Sequence, residues 1–150
     1  MNTTTNSPLQ RLLSTNAGLA PLALRIPIGV IFAAHGAQKL FGAFGGYGLE
    51  GTGQFMASLG LSPGYLMALL AGSAEFFGGL ALLVGLLVRP ASAVLAITML
   101  VAIVTVHLDK GLFMATNGYE YALALLAVSV SLFISGAGKA SVDATLARRA

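Results

Sequence analysis

A chain of 150 residues that is 57% hydrophobic and only 9% charged, with a formal net charge of +3, does not have the composition of a soluble domain, in which about a quarter of the residues are charged. Its scattered basic residues exclude a nucleic-acid groove. The absence of cysteine excludes disulfides, thiolate metal sites and persulfide chemistry carried on the chain. What remains is a single all-α integral membrane domain, in which Tyr and Phe must do the interfacial anchoring because there is no Trp.

In chain order, residues 1–18 read as a polar cytoplasmic tail carrying Arg11. No small-residue cleavage site follows a clean apolar core, so the first apolar segment is expected to stay in the mature protein. That segment runs from about Leu19 to Phe41 and contains Arg25, His35 and Lys39. Residues 42–64 form a Gly-rich connection. Within it, Thr52 to Leu61 places Phe55, Met56 and Leu59 on one helical face, which predicts a short amphipathic helix at the outer interface. Such a helix would be either a lid over a site or a simple anchor.

The second apolar segment is Tyr65 to Val88, followed by a tight Arg89-Pro90 turn whose proline suits the opening of the next helix. Ala91 to Leu108 is the third segment, Asp109 to Gly118 a polar loop, and Tyr119 to about Ser135 the fourth. Residues 137–150 form a cytoplasmic tail. There Ser141 and Asp143 are placed to cap a short helix, and Arg148 and Arg149 to meet anionic lipid. The segments His35–Phe41 and His107–Phe113 echo one another, too weakly to carry a repeat.

Spans in lipid must satisfy their own backbone, so each is expected to be helical. Short connections favour an antiparallel four-helix bundle over residues 19–136, with the interfacial helix between its first two spans. Arg11, Arg25, Arg89, Lys139, Arg148 and Arg149 fall on one side, and Lys39 and Lys110 on the other. This bias puts both termini in the cytoplasm.

Glu75 is the most informative residue. It lies mid-span, where a carboxylate is costly and by default marks a proton, ion or redox-ligand site. The plain alternative is a protonated Glu hydrogen-bonded across a helix interface. On the first helix, a wheel of ~100° per residue puts Arg25, Gly29, Phe32, Gly36 and Lys39 on one face, with His35 at its edge. Arg25 needs an acidic partner in the bundle or at Asp143, or else reaches lipid phosphate. Lys39 is expected to snorkel. Gly78 and Gly79 either permit close helix packing or leave room for a flat ligand.

His35 and His107 both come out ~22–26 Å along outward-running helices, at 1.5 Å per residue. Equal depth would permit bis-histidine haem, or a metal with Glu75 or Glu120, but two histidines carry no spacing signature. Interfacial or satisfied histidines are the preferred reading, which disfavours haem and assigns no metal. Glu120 aligns with Ala124, Ala127 and Ser131, and as a first-turn acid it suits a capping role. Tyr119 and Tyr121 read as belt residues.

Taken together, the Arg25 helix with Gly29 and Gly36-x-x-Lys39, then Glu75-x-x-Gly78-Gly79-x-x-Leu82-x-x-Gly85, then Gly136-x-Gly138 and Ser141-x-Asp143, resemble the DoxX family of small bacterial inner-membrane proteins. The resemblance covers roughly residues 19–145. It implies a four-helix membrane protein with a link to quinones and redox stress. Some relatives are associated with thiosulfate:quinone oxidoreduction and others with membrane complexes that handle oxidative stress. Without cysteine, sulfur chemistry would fall to a partner or a bound quinone.

The leading expectation is a quinone-associated subunit of an oxidoreductase system, working with partner subunits and self-associating. Glu75 and His35 would be its catalytic groups, and Arg25, Lys39, Gly78, Gly79, His107 and Glu120 would line the ligand. A proton-coupled transporter for a small solute, or a non-catalytic assembly subunit, are the competing readings. Whether the chain is itself an enzyme stays open at this stage.

Overall fold

The computed structural model describes residues 8–15 and 17–149, so most of the tail expected over residues 1–18, and the side chain of Arg11, lie outside the described residues. The described chain is helical, without strands. Its helices are α1 (Pro8–Leu13), α2 (Ala20–Phe41), α3 (Gly48–Ser58), α4 (Gly64–Val84), α5 (Val88–Ala102), α6 (Glu120–Ser135) and α7 (Val142–Ala147). α5 is prolonged by a π-helical turn, Ile103–His107, and a 3-10 turn, Leu108–Lys110.

Among the described residues, three stretches are long and apolar enough to cross a membrane: Ala20–Phe41, Gly64–Val84 and Val88–Lys110. α6 is equally apolar but has 16 residues, slightly under the usual span of ~17–25.

α2 and α4 are the most closely packed pair and run antiparallel. Their contact rests on small residues. A Cβ at Gly36 would collide with the Phe76 backbone, and one at Gly79 with the Ala33 backbone. Gly78 abuts the side chain of Leu95 on α5. These glycines therefore serve backbone approach, as is common where apolar helices meet without a hydrophobic driving force. The flat-ligand slot expected at Gly78 and Gly79 is not formed. α5 packs on α6 through Leu95, Met99, Ile103, Ala122, Leu125 and Leu132.

α4 ends at Gly85, whose left-handed backbone (φ 74°) closes the last turn, earlier than the expected Val88. The reversal occupies Gly85–Leu87, and Arg89-Pro90 already lies inside α5. Leu87 itself takes a left-handed conformation (φ 51°), unfavourable for a residue with a Cβ. It is held there by Asp143, whose carboxylate accepts from Leu87 N at 2.7 Å and Val88 N at 2.9 Å. Asp143 thus caps α5 rather than its own helix, and Ser141 caps α7 by accepting from Ala144 N at 3.1 Å.

Arg25 is 2% exposed and sits at the same end. Its guanidinium donates to Leu82 O and Leu83 O, both at 2.8 Å, and to Ala140 O. Its hydrogen bonds go to the free carbonyls of α4's last turn, which a helix cannot satisfy internally, while the expected acid, Asp143, lies close enough to lend its charge without accepting a hydrogen bond from it. Arg89 does the same for α6, donating to Phe133 O at 2.5 Å and Ile134 O at 2.7 Å. The C-terminal segment is bound into this end as well, with Lys139 N donating to Gly18 O at 3.0 Å.

Candidate functional site

The opposite end of the molecule is organised around Glu75, near the midpoint of α4 and 3% exposed. Lys39, in the last turn of α2, donates from Nζ to Glu75 Oε2 at 2.6 Å. The expected snorkelling of Lys39 does not occur. Gly36 presses that face of α2 onto Phe76, and Leu40 and the Lys39 Cβ pack at Gly72. The four-carbon stem therefore starts next to α4 and carries its ammonium to the carboxylate. A carboxylate at this depth is tolerated when paired, because its charge would otherwise be left in an apolar medium.

Beside the ion pair lies a cavity of about 630 Å³ bounded by α2, α3, α4, α5 and α6. Its size falls within the ~300–1,000 Å³ usual for small-molecule sites. Phe32, Met56, Leu61, Met67, Met99 and Leu125 give it an apolar body, and His35, Lys39, Thr52, Glu75, His107 and Tyr121 supply polar groups. An apolar chamber with a few convergent polar groups is the usual form of a ligand site.

The roof is α3. It lies on the first turns of α4, where a Cβ at Gly53 would stand 3.0 Å from Tyr65 Cα. It turns the buried Thr52 towards the cavity, together with Phe55 and Met56. His35 sits beside Tyr121, with ring centroids 6.3 Å apart and planes tilted by 53°. His107 is carried by the π-helical turn at the end of α5, a local widening that recurs at functional sites. Its Nδ1 lies 2.8 Å from Asn117 O. A carbonyl only accepts, so Nδ1 carries the proton, and a neutral ring then leaves Nε2 as an acceptor.

Glu75, Lys39, His35 and His107 are therefore brought to one cavity. Arg25 is not, being fixed at the other end, and Gly78 and Gly79 are buried in helix contacts. Glu120 is also apart. Its Oε1 accepts from Met114 N at 2.5 Å, which secures the loop before α6. The Ala124, Ala127 and Ser131 stripe that follows it faces outward. Among the described residues, no group of three or more His, Cys, Asp and Glu side chains is placed to hold a metal ion.

Sequence reasoning missed Thr52 and Tyr121. Tyr121 has a retrospective signal, because it precedes the buried Leu125 and Leu132 by four and eleven residues, on one stripe of α6. Thr52 has none, because its place depends on how α3 folds back over α4.

The fold and site define a membrane protein of apolar helices with a cavity beside the Lys39–Glu75 ion pair. The chain belongs to the DoxX family: the DoxX family model matches residues 20–108, from α2 to the end of the π-helical stretch. It is similar to a protein of Bacillus subtilis (strain 168) named "Putative oxidoreductase CatD", with 36% identity over 114 residues, 76% of this chain and 78% of that protein. No solved structure matches the chain.

Proposed function

We propose that this chain is a four-helix transmembrane subunit of a quinone-linked oxidoreductase system, and that the cavity beside Glu75 holds the quinone head. In this reading α6 is the fourth span and α3 lies at the outer interface. The ends formed by residues 1–18 and 137–150 face the cytoplasm across a bacterial inner membrane, and copies of the chain associate with one another and with oxidoreductase partners. The name of the Bacillus relative supports the oxidoreductase link.

The observation that carries the proposal is the Lys39–Glu75 pair at the edge of an apolar cavity. A quinone head needs apolar walls, hydrogen-bond donors for two carbonyls, and groups that exchange protons when it is reduced and reoxidised. Lys39 offers the charged donor and the Tyr121 hydroxyl a neutral one. Glu75 is the proton-exchanging carboxylate, held in place by Lys39, and His35 on the same wall is a second proton-exchanging group. Thr52 closes the roof against water. Electrons come from a partner, since the chain's own residues carry no redox group.

The test is equilibrium binding of a tailless benzoquinone to protein in lipid nanodiscs. The comparison is between the wild type and the charge-neutral double variant Glu75→Gln/Lys39→Gln, which leaves no unpaired charge. Binding is expected to weaken by about tenfold or more, the equivalent of ~1.4 kcal/mol. Unchanged affinity in a folded double variant rejects the site.

A further inference from the structure

The cavity has one protected side and one open side. Its inner wall is buried, with Phe32 at 1% exposure and Leu125 at 4%. Other lining residues lie on the outside of the molecule: Leu70 on α4, and Val94, Ile97 and Val101 on α5, are 45–63% exposed. The cause lies in the α4–α5 connection. The tight reversal at Gly85–Leu87 holds the two helices together, and they remain in contact as far as Gly78 and Leu95. Beyond that level, Ala74 of α4 and Ala102 of α5 both border the cavity, and their short side chains leave the gap unfilled.

The depth of this gap is set by helix length. Leu70 lies about 9 Å from the start of α4, and Val101 about 14 Å from Lys110, at 1.5 Å per residue. Both positions fall inside a hydrocarbon layer ~30 Å thick, well away from either water phase. The roof side is different, because α3 covers it with the buried Thr52. The charged pair Lys39 and Glu75 thus sits inside, and the most exposed α4 and α5 residues of the lining, Leu70, Val94, Ile97 and Val101, are aliphatic on the side that faces acyl chains.

We infer that the cavity opens sideways into the bilayer between α4 and α5, and that its ligand is a membrane-resident amphiphile whose apolar chain lies in this opening while its head meets Lys39 and Glu75. The identity of the head rests on the quinone reading above. The opening and the chain rest on the helix geometry alone. A ligand of this class reaches the site from the lipid, without crossing the roof.

The absence of tryptophan makes a direct test available. Three single replacements place one indole each: Phe32→Trp on the inner wall, Phe133→Trp on the exposed face of α6, and Leu132→Trp in the fully buried core. Each full-length variant is reconstituted into phosphatidylcholine vesicles, with and without bromine on the acyl chains, and quenching is compared. Lateral opening predicts that Phe32→Trp is quenched nearly as strongly as Phe133→Trp, although Phe32 is buried. It also predicts that Ala74→Phe, which narrows the gap, removes most of that quenching. Quenching of Phe32→Trp no greater than that of Leu132→Trp overturns the inference, and means that the cavity is served from water or covered by another protein chain. If Phe32→Trp fails to fold, Leu125→Trp on the same wall carries the same comparison. Unbrominated vesicles titrated with tailless benzoquinone separate the two proposals: brominated-chain quenching without benzoquinone binding would retain the opening and reject the quinone head.

Discussion

Arg25 and Glu75 are both buried ionisable residues on the facing sides of α2 and α4, yet they are satisfied in different ways. Arg25 gives its hydrogen bonds to backbone carbonyls at the end of α4 and to Ala140. Around it, Arg89 and Asp143 close the ends of α6 and α5. Glu75 bonds to a side chain, Lys39, and the pair borders a cavity. Polar groups of the first kind define where helices stop, and the molecule has nothing to gain from moving them. Those of the second kind are held by each other and can be shared with a third molecule. Burial alone therefore does not mark a functional site in a membrane protein. The partner decides.

This contrast can be broken by substitution, and the largest effect is expected at the arginine end. Arg25→Leu leaves three carbonyls without their donor, each costing about 1–3 kcal/mol when buried. The variant is expected to fail to accumulate, or to unfold far below the wild type in a thermal scan in detergent. Arg25→Lys should recover only part of the loss, because an ammonium lacks the planar fork that reaches separated acceptors. Normal thermal stability in Arg25→Leu would show that this end is not a structural clamp.

Asp143→Ala comes next. It removes two charge-assisted hydrogen bonds from Leu87 N and Val88 N, and should cost roughly 1.5–3 kcal/mol for each. Because Leu87 relies on these bonds for its left-handed backbone, Leu87→Gly in the Asp143→Ala background should return part of the stability. No recovery would mean that Asp143 acts on something other than this turn.

At the cavity end the balance should reverse, with binding affected more than folding. A double-mutant cycle on Lys39→Gln and Glu75→Gln is expected to give a coupling of about 0.5–3 kcal/mol in stability, with the double variant more stable than the sum of the single losses implies. Simple additivity would mean that the 2.6 Å contact contributes nothing. The smallest effect is expected from Tyr121→Phe, which removes one hydroxyl from the cavity wall. Thermal stability should change by less than about 0.5 kcal/mol, as for an ordinary exposed position, while benzoquinone affinity falls measurably. Equal affinity would remove Tyr121 from the set of donors.

Much of this contrast was legible in the sequence. A lone carboxylate within a long apolar run identified Glu75, and a helical wheel brought Arg25, Gly29, Phe32, Gly36 and Lys39 to one face of α2. The structure buries all of these except Lys39, whose ammonium turns inward onto Glu75. The partners were not legible, because pairing depends on the rotation of one helix against another. Arg25 looked as if it needed an acid, and Asp143 does lend it charge, but its hydrogen bonds go to carbonyls at a helix end more than fifty residues away. Gly78 and Gly79 marked a close approach without revealing whether a ligand or a helix makes it. The reversal after α4 was misplaced because Arg89-Pro90 is the stronger local signal, whereas the true turn at Leu87 is stabilised from Asp143 in a distant segment. The contacts of the C-terminal portion with the arginine end, through Ala140 and Asp143, were not legible either.

The central claim is that the Lys39–Glu75 cavity binds a quinone, and a reduced-minus-oxidised absorption spectrum of protein purified gently from its native membrane tests it most directly. The account predicts an ultraviolet quinone difference signal in the wild type, matched by extractable quinone, and a much smaller one in folded Glu75→Gln/Lys39→Gln. A visible haem band would contradict it and turn His35 and His107 into ligands. A flat spectrum with no extractable quinone would contradict it equally and leave the ion pair as a helix contact.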